Sequence, residues 1–171
     1  PTGGSAFFED YEVGERIDHV DGMTIEESEH MIATRLYQNT AKVHFDAHEA
    51  KGTRFGKRLM YGGHVISIAR ALSFNGLANA LGILAWNGGT HVSPTFAGDT
   101  VYAFSEVLEK AELPGKKGLG ALRVRLVGVK NASPQKDGVT LKVEKDGKQV
   151  YHPAVVLDLD FWLLMPKRPV A

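Results

Sequence analysis

Tyr61-Gly62-Gly63 is followed by HVISIARALSFNGLANALG, and this run constrains the fold more than any other stretch. Its apolar residues occupy almost every side of a helical projection, leaving a narrow polar stripe through Ser67, Arg70 and Ser73. A helix that is apolar nearly all round is a buried helix. The run therefore predicts one central helix over residues 64–82, wrapped by the other elements. Two glycines at its start let another group come close to the backbone. The first N–H groups of a helix lack internal partners and sit at its positive end. Such donors suit a carbonyl oxygen that gains negative charge during a reaction. A plain turn is the other reading of Gly62-Gly63.

The rest of the chain reads mainly as sheet. Residues 83–87 form a short apolar strand that Gly88-Gly89 breaks, and Ala97-Gly98-Asp99 turns the chain into a strand over 100–108. Leu122, Val124 and Leu126 alternate with Arg123 and Arg125, the pattern of a strand buried on one face. Val139, Leu141 and Val143 alternate likewise, and Asp146-Gly147 signals a hairpin into Gln149-Val150-Tyr151. Leu157 to Met165 closes the sheet, with Asp158 and Asp160 on the opposite face. Upstream, a short strand is expected over 16–20. A helix is expected over 24–37, started by a Thr24–Glu27 capping box, with Ile25, Ile32 and Leu36 on one side. Glu26, Glu29 and His30 fall elsewhere on it, the acids as a solvated face. Residues 40–60 lack a clean period and read as a long loop with one helical turn near 47–51; such loops are often functional. Residues 1–6 read as a disordered lead-in. One buried helix with alternating antiparallel strands gives an α+β class with helices on one face of the sheet.

The 171 residues suffice for one domain with a real core. Twenty basic and 20 acidic residues cancel, so no net field recruits nucleic acid or an acidic membrane. With no cysteine, disulfide and thiolate chemistry are excluded. No basic-then-apolar leader opens the chain, and Arg70, Asn75 and Asn79 interrupt the long apolar run. A soluble cytoplasmic protein is expected. No GxxxxGK or GxGxxG motif supports a nucleotide site.

The candidate chemistry lies just before the helix. Asn39 precedes His44 by five residues, with Asp46 two further on. A histidine near a helix-start donor pair is a candidate acid or base, because its pKa lies near working pH; a structural role is the alternative. Lys51, Arg54, Lys57 and Arg58 make a basic run, read either as a solvated face or as a contact for phosphate or carboxylate. Tyr61 either packs beside a substrate or hydrogen-bonds it, and Arg70 on a buried helix needs a partner. His64 and His91 are read as structural.

The N-x-x-x-x-H step, the aromatic-Gly-Gly helix start and PTFAGDT together resemble the MaoC-like (R)-specific enoyl-CoA hydratases. FEDYEVGERIDHVDGMTIEESEHMIATRLYQNTAKVHF, YGGHVISIARALSFNGLANAL and FAGDTVYAFSEVLEKAELPG resemble the C-terminal half of a tandem subgroup that hydrates 2-methylfumaryl-CoA. The likeness runs from about Phe7 to Lys167. It implies a hot-dog fold, a long helix wrapped by an antiparallel sheet. It also implies pairing, as a homo-oligomer or with a second hot-dog half. The chain opens at Pro1, which initiator removal would explain; the likeness favours a piece of a longer chain. The implied reaction is reversible addition of water to an enoyl-CoA thioester. It needs no metal, flavin or nicotinamide, and coenzyme A enters only as part of the substrate. His44 would be the acid/base, and the N–H of Gly62 or Gly63 would hold the thioester oxygen. General members carry an aspartate where this chain has Asn39, which does not ionise and only orients by hydrogen bonds. So either His44 works alone or a carboxylate such as Asp46 assists. Arg54, Arg58 or Arg70 would meet the second carboxylate of a dicarboxylic substrate. A hot-dog thioesterase using Asp46 or Glu49, and a non-catalytic acyl-CoA-binding half, are the competing readings.

Overall fold

The computed structural model describes residues 3–169. In chain order its elements are β1 (Arg16–Asp18), β2 (Met23–Thr24), α1 (Glu27–Leu36), α2 (Lys42–Phe45) and α3 (Ala47–Ala50). Next come α4 (Gly62–Leu72), α5 (Phe74–Leu77), β3 (Gly82–His91), β4 (Thr100–Glu112) and β5 (Leu119–Lys130). The chain ends with β6 (Lys142–Lys145), β7 (Lys148–Tyr151) and β8 (Val155–Pro166). One antiparallel sheet runs in the order β1-β4-β5-β8-β3, with β2 also paired to β4. β6 and β7 form a separate hairpin.

The alternation in β5 does what its pattern predicts. Leu122, Val124 and Leu126 point into the main core with Leu157, Phe161 and Leu163 of β8. Val65, Ile68, Ala69 and Leu72 of α4 cover that face. Burial of this apolar surface is the main stabilising term. On the other face Arg123 pairs with Asp160 at 2.7 Å and Arg125 with Asp158 at 3.3 Å. Farther along the same face, Phe104, Val127, Val129, Val139 and Val155 make a second small core. Val139 belongs to that core and not to a strand, so β6 starts later than its alternation suggested.

The central helix is shorter than expected. α4 stops at Leu72, because Asn75 takes ψ 96° and Gly76 takes φ 110°. The carbonyls freed by the break are captured. Tyr11 Oη donates to the Gly76 carbonyl at 2.7 Å. Fully buried His19 bonds the Asn75 carbonyl through Nδ1 at 2.6 Å and Ser105 Oγ through Nε2 at 2.8 Å. A carbonyl only accepts, so Nδ1 carries the His19 proton. Gly88 and Gly89 do not break β3, which stays paired with β8 through a register shift between Trp86 and Gly88; a side chain on Gly89 would meet Leu159.

α1 also differs. Met23 and Thr24 pair with β4, and the Thr24 hydroxyl meets Thr100 Oγ1 at 2.7 Å, so the helix cannot start there. It starts at Glu27, where the Glu26 N–H donates to the Glu29 carboxylate at 3.0 Å. Its buried positions are His30, Ala33 and Thr34, while Ile32 and Leu36 face out. The lead-in is tied down as well. The Gly4 N–H donates to Asn79 Oδ1, and Asn79 Nδ2 donates to the carbonyls of Gly4 and Ala6 at 2.8 Å. Pro1 and Thr2 lie outside the described residues.

A methyl at Gly76 would sit 2.5 Å from Ile17 Cγ2, on a backbone conformation that side chains avoid. Gly76→Ala should cost about 2–4 kcal/mol of stability, measured as a lower urea midpoint. An unchanged midpoint would contradict the role given to this break.

Candidate functional site

The start of α4 is built from three directions. His64 and Val65 N–H close the first turn on the Tyr61 carbonyl. The Tyr61 N–H donates to His30 Nε2 at 3.0 Å, fixing where the helix begins. The N–H groups of Gly62 and Gly63 have no acceptor among the described residues. Ala33 and Thr34 share the buried face of α1 with His30.

His44 sits on α2 and is half-buried. Its Nδ1 meets the Leu59 carbonyl at 2.9 Å, so Nδ1 holds the proton and Nε2 presents a lone pair. Its ring lies 5.9 Å from the Tyr61 ring and 6.4 Å from that of His30. The segment carrying Leu59 is itself held, by Leu59 N–H on the Val43 carbonyl and Met60 N–H on the Thr95 carbonyl. A cavity of about 350 Å³ opens here, lined among others by His44, Arg54, Leu59, Gly62, Val65 and His91. His44 and Gly62, expected to face one ligand, thus line the same cavity. Gly63 does not line this cavity; Tyr61 folds over it, and a methyl there would lie 2.6 Å from Tyr61 Cζ.

Other expected residues are placed elsewhere. Asn39 Oδ1 accepts the Ala41 N–H at 2.9 Å, and Asn39 lines a different groove with Met31, Arg35 and Phe45. Asp46 caps α3 by accepting the N–H groups of His48 and Glu49, at 3.0 and 3.1 Å. Those bonds, that of Glu49 foremost, hold its carboxyl below the usual range. Arg58 pairs with Glu27 and lies 3.4 Å from the Phe45 carbonyl. The partner that Arg70 needed is the Ser73 hydroxyl. Lys57 stacks on Phe96. Arg54 alone of the basic run lines the cavity, its guanidinium 4.4 Å over the Phe55 ring, with no carboxylate partner among the described residues. His64 lies 3.7 Å from the Glu29 carboxylate, outside the cavity.

Two residues were missed by sequence reading. His91 follows a strand pattern and carried no motif, yet it lines the cavity. His30 was placed off the apolar side of α1, yet it is 1% exposed. Its neighbour spacing with Ala33 and Thr34, an i, i+3, i+4 stripe, was the available signal.

Burial pushes the His30 pKa down to about 4 from an ordinary 6.5. Between those values the unfolded chain binds the extra proton, so stability falls as pH drops through that window. The full loss is on the order of 3 kcal/mol at about 1.4 kcal/mol per unit. His30→Gln keeps an acceptor for Tyr61 but cannot titrate. Urea unfolding at a series of pH values should give a shallower loss from pH 6.5 to 4 for this variant. The same slope as the parent would rule out His30 as the titrating group.

No family model matches the chain. It is 58% identical over 167 residues to β-methylmalyl-CoA dehydratase of Chloroflexus aurantiacus, covering 98% of this chain and 46% of that protein. It is 61% identical over 158 residues to mesaconyl-CoA hydratase of Cereibacter sphaeroides, covering 92% and 43%. The chain thus spans about half the length of the curated relatives it matches. A C. aurantiacus structure described as a MaoC domain dehydratase superposes with a TM-score of 0.90 at 58% identity, over 98% of this chain and 46% of that one. The double hot-dog protein RV0216 of Mycobacterium tuberculosis shares the fold at a TM-score of 0.75 and 18% identity, over 97% and 46%. By fold the chain is a hot-dog domain, and by sequence it is similar to about half of each longer enzyme it matches.

Proposed function

We propose that the chain is the His44-bearing half of a hydratase that adds water reversibly to 2-methylfumaryl-CoA, giving β-methylmalyl-CoA. The observation that carries the reading is the shared cavity of His44 and the open Gly62 amide. The names of the two relatives support the substrate.

In this reading His44 Nε2 takes a proton from water as its oxygen attacks the β carbon. The electrons of the double bond move toward the thioester oxygen, which the helix-start N–H stabilises. The α carbon then takes the proton back from the His44 imidazolium. Water is added overall and His44 ends as it began. Asn39 and Asp46 have no proton-transfer role here, since both side chains are engaged in local caps outside the cavity. Arg54 would receive the free carboxylate of the dicarboxylic acyl group by a charge-assisted bond. Coenzyme A enters as part of the substrate and no other cofactor is required. A thioesterase needs a carboxylate at the thioester, and no Asp or Glu is among the cavity-lining residues described.

The partner in this reading is a second hot-dog half, in the same longer chain or as a second copy. β3 supports it: all ten of its residues are exposed, Trp86 by 53%, and its outer edge has no strand beside it among the described residues. A long exposed apolar edge invites pairing. No helix among the described residues is long and apolar enough to cross a membrane. A cytoplasmic setting belongs to the same reading, because such an enzyme works where its thioesters are made.

The test is hydration of 2-methylfumaryl-CoA by the paired protein, followed by loss of the enoyl absorbance. His44→Ala should lower kcat about 10²–10⁴-fold. Arg54→Gln should raise KM for this substrate roughly 10-fold or more, with little change for monocarboxylic crotonyl-CoA. Retention of most activity by His44→Ala removes the assignment. An equal effect of Arg54→Gln on both thioesters removes the carboxylate contact.

A further inference from the structure

His91 ends β3, opposite Leu157 of β8, and its ring reaches back to the first residue of α4. A methyl built on Gly62 would lie 2.6 Å from His91 Nε2 and 2.8 Å from Cε1, so this edge of the ring rests directly on the Gly62 backbone. Only glycine permits that approach. Both residues line the cavity that holds His44. Neither ring nitrogen of His91 has a hydrogen-bond partner among the described residues, whereas His19, His30 and His44 are each engaged. The Gly62 N–H likewise has no acceptor among the described residues. Two unengaged polar groups therefore meet in one corner of one cavity.

The chemistry of that corner is a donor's. Desolvation lowers the His91 pKa, and the positive end of α4 also disfavours an imidazolium. A neutral imidazole keeps one N–H. Placed on Nε2, that proton sits at the ring atom nearest Gly62. Gly63, the second donor expected from the helix-start motif, does not line this cavity, and the Tyr61 ring occupies the space beside its Cα.

We propose that His91 is the second donor to the thioester oxygen, its Nε2–H acting beside the Gly62 amide in place of Gly63. This rests on the hydratase reading for its substrate. It makes His91 a catalytic residue that stabilises charge and moves no proton.

The experiment uses the paired protein and two readouts. The first is kinetics of His91→Phe, His91→Leu and His91→Gln on 2-methylfumaryl-CoA, with thermal midpoints recorded alongside. Loss of one such donor costs about 10²–10³-fold in kcat. His91→Phe and His91→Leu should lose that much with KM little changed, and His91→Gln should recover part of it through its amide N–H. The second readout is the infrared carbonyl stretch of bound ¹³C-labelled crotonyl-CoA. It should move to lower frequency on binding the parent, and move less in His91→Phe. Turnover by the parent, with kcat and the carbonyl band unchanged in the Phe and Leu variants, overturns the donor role and leaves the hydratase reading standing. A parent that shows the band shift but never hydrates the enoyl thioester does the reverse. A parent that binds no acyl thioester overturns both.

Discussion

The position of the α4 N-terminus depends on one buried hydrogen bond, from the Tyr61 amide to His30 Nε2. It joins α1 to α4 at the point where the backbone changes from extended to helical. It also occupies the Tyr61 N–H, while the next donor, that of Gly62, has no acceptor among the described residues. Both partners are neutral, so the bond asks that His30 stay uncharged, and burial provides for this. His44 is set against the same point through the Leu59 carbonyl, whose segment is pinned to the sheet side by Met60 and Thr95. A buried histidine thus sets the frame within which a second, more accessible histidine is aimed.

The sheet was legible because its period is strict. Alternation at Leu122, Val124 and Leu126 and at Leu157 to Met165 names the buried face, and the structure places it under α4. The helix start was legible because Gly-Gly before an apolar run has few uses. The helix end was harder. Apolar residues continue past Leu72, and Asn75-Gly76 reads as tolerable inside a helix until His19 and Tyr11 are seen holding the carbonyls that the break frees. Those partners lie more than 50 residues away in sequence, where no local pattern points. α1 failed for a similar reason: β2 pairing with β4 removes Thr24 from the cap it would otherwise make.

The site was partly legible. His44 and Gly62 were singled out by residue type and spacing, and they meet in one cavity. Asn39 and Asp46 were singled out on the same grounds, yet short side chains of this kind readily bond their own neighbouring backbone, as both do here. Four arginine and lysine side chains in one loop look alike in sequence. Packing separates them, tying Arg58 to Glu27 and Lys57 to Phe96 while Arg54 faces the cavity. His91 was invisible because strand residues are brought to a site by the sheet and not by a motif. The bare flank of β3 runs up to it, so whatever pairs with that edge would border the same cavity.

The central claim is geometric: one acyl thioester must touch both the α4 start and His44. A crystal structure of the paired protein with methylsuccinyl-CoA, the saturated and therefore unreactive counterpart of the substrate, tests it most directly. The account predicts the thioester oxygen within hydrogen-bond distance of the Gly62 nitrogen, and the β carbon facing His44 Nε2. A thioester bound away from α4, or a His44 ring turned from the acyl chain, would contradict it.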